Sequence, residues 1–145
     1  MAQAAEPLPG RTAQCAAADR LLAAAAGGAG GALVLHGGPG WGKTALLDWA
    51  GDRAAHQAGD AVDLHTAGVP AESRLPGSGL HRLLRPLRSR LAALPAAQAA
   101  ALRRVLGERP GRPDPLVLGT ALLDLLGTAG RPVVCRVDDA EALDA

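Results

Sequence analysis

One octet, Gly37-Gly38-Pro39-Gly40-Trp41-Gly42-Lys43-Thr44, constrains this chain more than any other stretch. It fits G-x-x-x-x-G-K-[ST], the P-loop or Walker A pattern, which sits between a strand and a helix. Both neighbours are expected. Residues 32–36, ALVLH, form a short apolar run that reads as a buried strand, and a helix is predicted over roughly residues 43–57. Glycine is frequent throughout, so glycine spacing alone carries little weight. The lysine carries it: of 15 basic residues 14 are Arg, and the single Lys falls on the one position where the pattern requires Lys.

The pattern has a physical basis. Glycines let the backbone bend until successive N–H groups face phosphate oxygens, and the following helix places its positive end there. Lys43 is expected to reach the β- and γ-phosphates, and Thr44 to offer its hydroxyl to Mg²⁺. The candidate nucleotide-binding residues are therefore Gly37, Gly38, Pro39, Gly40, Trp41, Gly42, Lys43 and Thr44. Trp41 occupies a variable position, where it is expected to pack near the nucleotide or the helix.

A second signal lies at residues 133–139, VVCRVDD, an apolar strand that ends in acids. This is the Walker B pattern. Asp138 is the candidate Mg²⁺ ligand beside Thr44, and Asp139 the candidate catalytic group that orients or activates water. Arg136 breaks the pattern, because an unpaired guanidinium inside a strand costs several kcal/mol. It must reach solvent or a carboxylate, or the strand is less central than the pattern implies.

The remaining elements follow from periodicity and breakers. Residues 12–26 read as an Ala/Leu helix stopped by Gly27 and Gly28, and residues 61–66 as a second strand. Leucines at helical spacing run from Leu80 to Leu94, with a break expected near Arg85 because Pro86 follows. Pro95 can open a helix to about Leu106. Asp114 reads as an N-cap with Pro115 at the first helical position. Strands alternating with helices predict an α/β fold, a P-loop NTPase-type parallel sheet flanked by helices, with about three strands present. Residues 1–10 read as a flexible lead-in to a folded body over residues 11–145.

Charge and composition exclude other classes. A net charge of +1 gives no basic stripe for nucleic acid, and no apolar run approaches the roughly 18 residues of a membrane span. No secretory leader is legible, so a cytoplasmic location is expected. The distant Cys15 and Cys135 suggest reduced thiols. His36, His56, His65 and His81 lack metal-ligand spacing, and Arg82, Arg85, Arg88 and Arg90 read as a solvated helix face. Absence of Phe, Tyr, Ile and Asn, with abundant Ala, Gly, Arg and Pro, points to a high-GC genome.

Four stretches together resemble a known family: Gly10-Arg11 before the first helix, ALVLHGGPGWGKTALL, SGLHRLLRPL at residues 78–87, and RPVVCRVDDAEALD at residues 131–144. The chain resembles the N-terminal ATPase domain of the large ATP-binding LuxR-type transcriptional regulators of actinobacteria, within the signal-transduction branch of AAA-like P-loop ATPases. The resemblance implies ATP and Mg²⁺ as cofactors, with the nucleotide acting as a conformational switch. It also implies a further strand between the Walker A and Walker B strands, which this chain stops short of, along with a helical lid and a DNA-binding domain. The chain is accordingly expected to be truncated after Walker B, incomplete for ATP hydrolysis on its own, without direct nucleic acid contact, and prone to self-association at an unpaired edge. Two other readings stand beside this one: a small P-loop kinase, and a non-binding fragment or interaction remnant.

Overall fold

Alanine and leucine propensity sets the first helix, α1 (Thr12–Ala26), and Gly27 and Gly28 end it, the latter with φ +85°. Helix α2 (Lys43–Gln57) starts directly behind the glycine-rich loop. Strand β1 (Val62–Ala67), helices α3 (Ser78–Leu84), α4 (Ala96–Val105) and α5 (Pro115–Gly127), and strand β2 (Val133–Asp138) follow. The computed structural model describes residues 6–57 and 61–143; residues 1–5 of the expected lead-in, and residues 144–145, lie outside them. The class is α/β, with helices and a two-stranded parallel sheet, consistent with an incomplete P-loop NTPase-type fold. Among the described residues, no helix is long and apolar enough to cross a membrane.

The chain divides into two units, Met1–Asp63 with Arg131–Asp138, and Leu64–Gly130 with Asp139–Ala145. In the first, α1 packs on α2, and α2 on β2. Cys15, Ala18, Leu46 and Trp49 are buried together, with Leu8, Leu35 and Ala50 against them. Arg53 on α2 pairs with Asp19 on α1 at 2.7 Å. The Trp49 indole N–H donates to the Glu6 carbonyl at 2.8 Å, which ties the segment before α1 to the same core.

One expected strand is not formed. Residues 32–36 make no ladder, so among the described residues two strands are present rather than three. A strand requires a hydrogen-bonded neighbour. Here β1 and β2 pair with each other, Val62 N–H donating to Pro132 O at 2.9 Å, and no backbone hydrogen bond joins residues 30–36 to any described residue. Leu35 still packs on the core, but Leu33 and Val34 are 42% and 69% exposed, so the run is not buried as its composition suggested. A cleft of about 420 Å³ is lined by residues 30–33, by Leu35 and by residues 133–136. This segment and β2 thus share a cleft in place of a ladder.

The second unit is mainly helical. Helix α3 stops at Leu84, and the chain continues as a 3-10 turn over Arg85–Ala93, because Pro86 offers no N–H to an α-helical ladder. Leu84, Leu87, Leu91, Leu102 and Leu125 are almost fully buried. Asp114 caps α5, its Oδ1 accepting from Leu116 N–H at 2.9 Å and Val117 N–H at 3.0 Å, with Pro115 at the first helical position. Of the four arginines expected to form a solvated face, Arg85 is exposed, and Arg82, Arg88 and Arg90 also make protein contacts. Arg82 bonds Glu72 and the Ala67 carbonyl, Arg88 pairs with Glu108 at 2.7 Å, and Arg90 donates to the Thr128 carbonyl at 2.6 Å.

Candidate functional site

The glycine-rich loop turns at Pro39-Gly40 and delivers the chain into α2 at Lys43. Gly40 and Gly42 take φ +75° and +71°, left-handed values that cost an L-residue about 1–2 kcal/mol. No atom lies within 4 Å of where a Cβ would stand at either. Backbone conformation, rather than crowding, is what demands glycine there. At Gly37 the reason differs: a Cβ would come within 3.0 Å of Trp41 Cε3. The Trp41 ring therefore lies along Gly37 and Gly38 while remaining 62% exposed.

Lys43 points back into the loop. Its ammonium donates to the Gly37 carbonyl at 2.9 Å and to the Gly38 carbonyl at 3.2 Å. Thr44, one residue further, donates its hydroxyl to Asp138 Oδ2 at 2.6 Å. Asp138 is buried at the end of β2. The packing of α2 on β2 thus brings the last residue of the Walker A octet to the first acid of the Walker B run. Asp139 belongs to the other unit; it takes the left-handed region at φ +43° and opens a 3-10 turn over Ala140–Ala142, where its carbonyl accepts from Ala142 N–H at 2.9 Å.

Two residues singled out in the sequence have partners that it did not specify. Arg11, which precedes α1, donates to the Trp41 carbonyl and so anchors the loop to the first helix. Arg11, Gln14, Val34, His36, Trp41 and Lys43 line a cavity of about 370 Å³, within the usual range of small-molecule sites, about 300–1,000 Å³. The other is Arg136. It reaches carboxylates, forking onto Asp63 through Nε at 2.9 Å and Nη2 at 2.7 Å, with Nη1 on Asp48 at 3.1 Å and on the Leu47 carbonyl at 3.2 Å. The bonds to Asp63, opposed by shielding from water, raise its pKa further, so it stays charged. No spacing rule relates these residues, which are far apart in the chain.

The residue types suit a hard divalent cation beside a polyphosphate. Thr44 and Asp138 offer two oxygen donors in contact. Among the described residues no group of three or more His, Cys, Asp or Glu could hold a metal by itself. The Thr44 and Asp138 oxygens would suffice for Mg²⁺, which keeps several waters and uses one or two protein oxygens together with substrate phosphates. A lysine within the loop and a helix N-terminus beside it favour an anion at the same place.

Neither the curated proteins nor the solved structures hold a match to the chain. A family model described as an AAA ATPase domain matches residues 7–145, nearly the full length. On that match over nearly its whole length, the chain belongs to the AAA ATPase domain family.

Proposed function

We propose that this chain binds ATP with Mg²⁺ at residues 37–44 and Asp138, and that the bound nucleotide acts as a conformational switch. The single observation that carries this reading is the 2.6 Å contact between Thr44 and Asp138, which joins the two motifs in space. On binding, Lys43 exchanges the Gly37 and Gly38 carbonyls for phosphate oxygens, a stronger charge-assisted partnership. The turn held by Gly40 and Gly42 sets the loop that receives the phosphates, and Arg11 holds that loop through the Trp41 carbonyl. Mg²⁺, when bound, would supply charge neutralisation at the phosphates, and Thr44 and Asp138 would be its protein ligands. Asp139 is the candidate for orienting water, should hydrolysis occur.

The wider role follows the stretches quoted above, Gly10-Arg11, the Walker A segment, residues 78–87 and residues 131–144. They support a module of a signal-transduction ATPase, of the kind found in large LuxR-type regulators, acting in the cytoplasm. Population of its two states is then set by nucleotide rather than by bulk turnover. Equilibrium titration with a fluorescent ATP analogue and Mg²⁺ tests the binding step. Saturable binding that Lys43→Ala weakens tenfold or more supports the site. Equal binding by both proteins, with both folded by circular dichroism, refutes it.

A further inference from the structure

Arg136 occupies a strand position where the sequence pattern expects an apolar residue, and its side chain is only 13% exposed. Its partners lie on two further elements. The Nε and Nη2 groups fork onto Asp63 in β1, while Nη1 donates to the Leu47 carbonyl and to Asp48 in α2. The guanidinium also lies against α2 where the helix has no side chain: a Cβ at Gly51 would stand 2.6 Å from its Cζ and 2.7 Å from its Nε. One planar group therefore joins β1, β2 and α2.

Placement relative to the candidate site gives this clamp a consequence. Arg136 and Asp138 are two apart in β2, so both side chains project from the same face of the strand. Leu47 and Asp48 lie three and four residues after Thr44, about one turn or roughly 5 Å along α2. The clamp and the Thr44–Asp138 pair thus bridge the same helix to the same strand at adjacent rungs. Sliding α2 against β2 by a fraction of a turn would break both.

Resting on the Mg²⁺–nucleotide reading above, we infer that Arg136 is a positioning residue: it fixes α2 against β2 so that the Thr44 hydroxyl and the Asp138 carboxylate stay together as the cation's two protein ligands. Lysine cannot replace it, because a single ammonium cannot fork onto Asp63 and also hold the Leu47–Asp48 edge. Gly51 is required by the same contact, since a methyl there displaces the guanidinium.

The test compares nucleotide affinity with Mg²⁺ and with EDTA in the full chain and in Arg136→Met, Arg136→Lys and Gly51→Ala, using a fluorescent ATP analogue. In the parent, Mg²⁺ tightens binding. In Arg136→Met that enhancement falls tenfold or more, while affinity in EDTA, which depends on the loop and Lys43, stays within about threefold. Arg136→Lys recovers thermal stability but not the Mg²⁺ enhancement. Gly51→Ala loses part of the enhancement although alanine is the better helix former. A purely structural arginine would lower Tm and leave the Mg²⁺ enhancement of the folded protein intact, and that result, or full recovery by Arg136→Lys, overturns the inference. A ligand-free cycle separates this from failure of nucleotide binding itself. Thr44→Val should lower Tm in the parent but not in Arg136→Lys or Arg136→Met. Additive losses in that cycle overturn the positioning role, whatever the nucleotide titration gives.

Discussion

Gly42→Ala isolates the backbone conformation of the loop from every other effect. Gly42 has φ +71° and no atom within 4 Å of an added Cβ, so the substitution makes no clash. What remains is the left-handed penalty of an L-residue, about 1–2 kcal/mol. Alanine also restricts the unfolded chain, which returns about 0.4–1 kcal/mol to stability. If the loop keeps its shape, the variant is destabilised by the difference, at most about 1.6 kcal/mol, and nucleotide affinity is retained. If the loop relaxes to negative φ, stability holds and the bound state bears the strain instead, weakening ATP by about 5- to 30-fold. The two losses are alternatives that share one source. Thermal unfolding followed by calorimetry and ATP titration by fluorescence measure both on one sample. Trp41 lies along Gly37 and Gly38, so its share of the emission, beside that of the buried Trp49, reports the loop. A raised Tm together with unchanged affinity would overturn this reading, since neither state would then need the left-handed turn.

Other perturbations probe the rest of the account. Asp114→Ala removes the acceptor for Leu116 and Val117 N–H and should destabilise α5 by about 1 kcal/mol, read as a lower Tm by circular dichroism. Gly119→Ala, inside α5 with open space at its Cβ, should stabilise by about 0.8–1.0 kcal/mol and raise Tm. Cys135, surface-exposed on β2, has a pKa raised first by partial shielding from water and then by the Asp63 charge. Because the folded chain keeps a proton that the unfolded chain gives up, the thiol's contribution to stability is intact below the ordinary thiol range of about 8–9 and declines as pH rises toward the folded value. Iodoacetamide should therefore alkylate Cys135 more slowly than an unstructured cysteine peptide at pH 8, with the difference closing as pH is raised; equal rates at pH 8 would contradict it.

Local chemistry was legible in the sequence, and long-range pairing was not. The turn before α2, the break at Pro86 and the Asp114–Pro115 start of α5 each depend on residues within one or two turns, and each stands where the sequence placed it. The alanine-rich α1 likewise spans Thr12–Ala26 as expected. Residues 32–36 have strand composition, but a strand exists only against a partner, and composition cannot say whether the partner is beside it. Arg136 looked like a defect because its compensation comes from Asp63 and Asp48, on other elements. The site itself divides the same way. Lys43 in its loop could be read from spacing alone, whereas Arg11 on the Trp41 carbonyl could not.

The central claim is that Thr44 and Asp138 form one oxygen-donor pair beside a phosphate-receiving loop. Calorimetric titration of ATP in Mg²⁺ and in EDTA, for the parent and for Asp138→Asn, tests it most directly. Mg²⁺ is expected to strengthen binding to the parent, and Asp138→Asn to abolish most of that gain while leaving the EDTA affinity nearly unchanged. Equal Mg²⁺ enhancement in both proteins would contradict it.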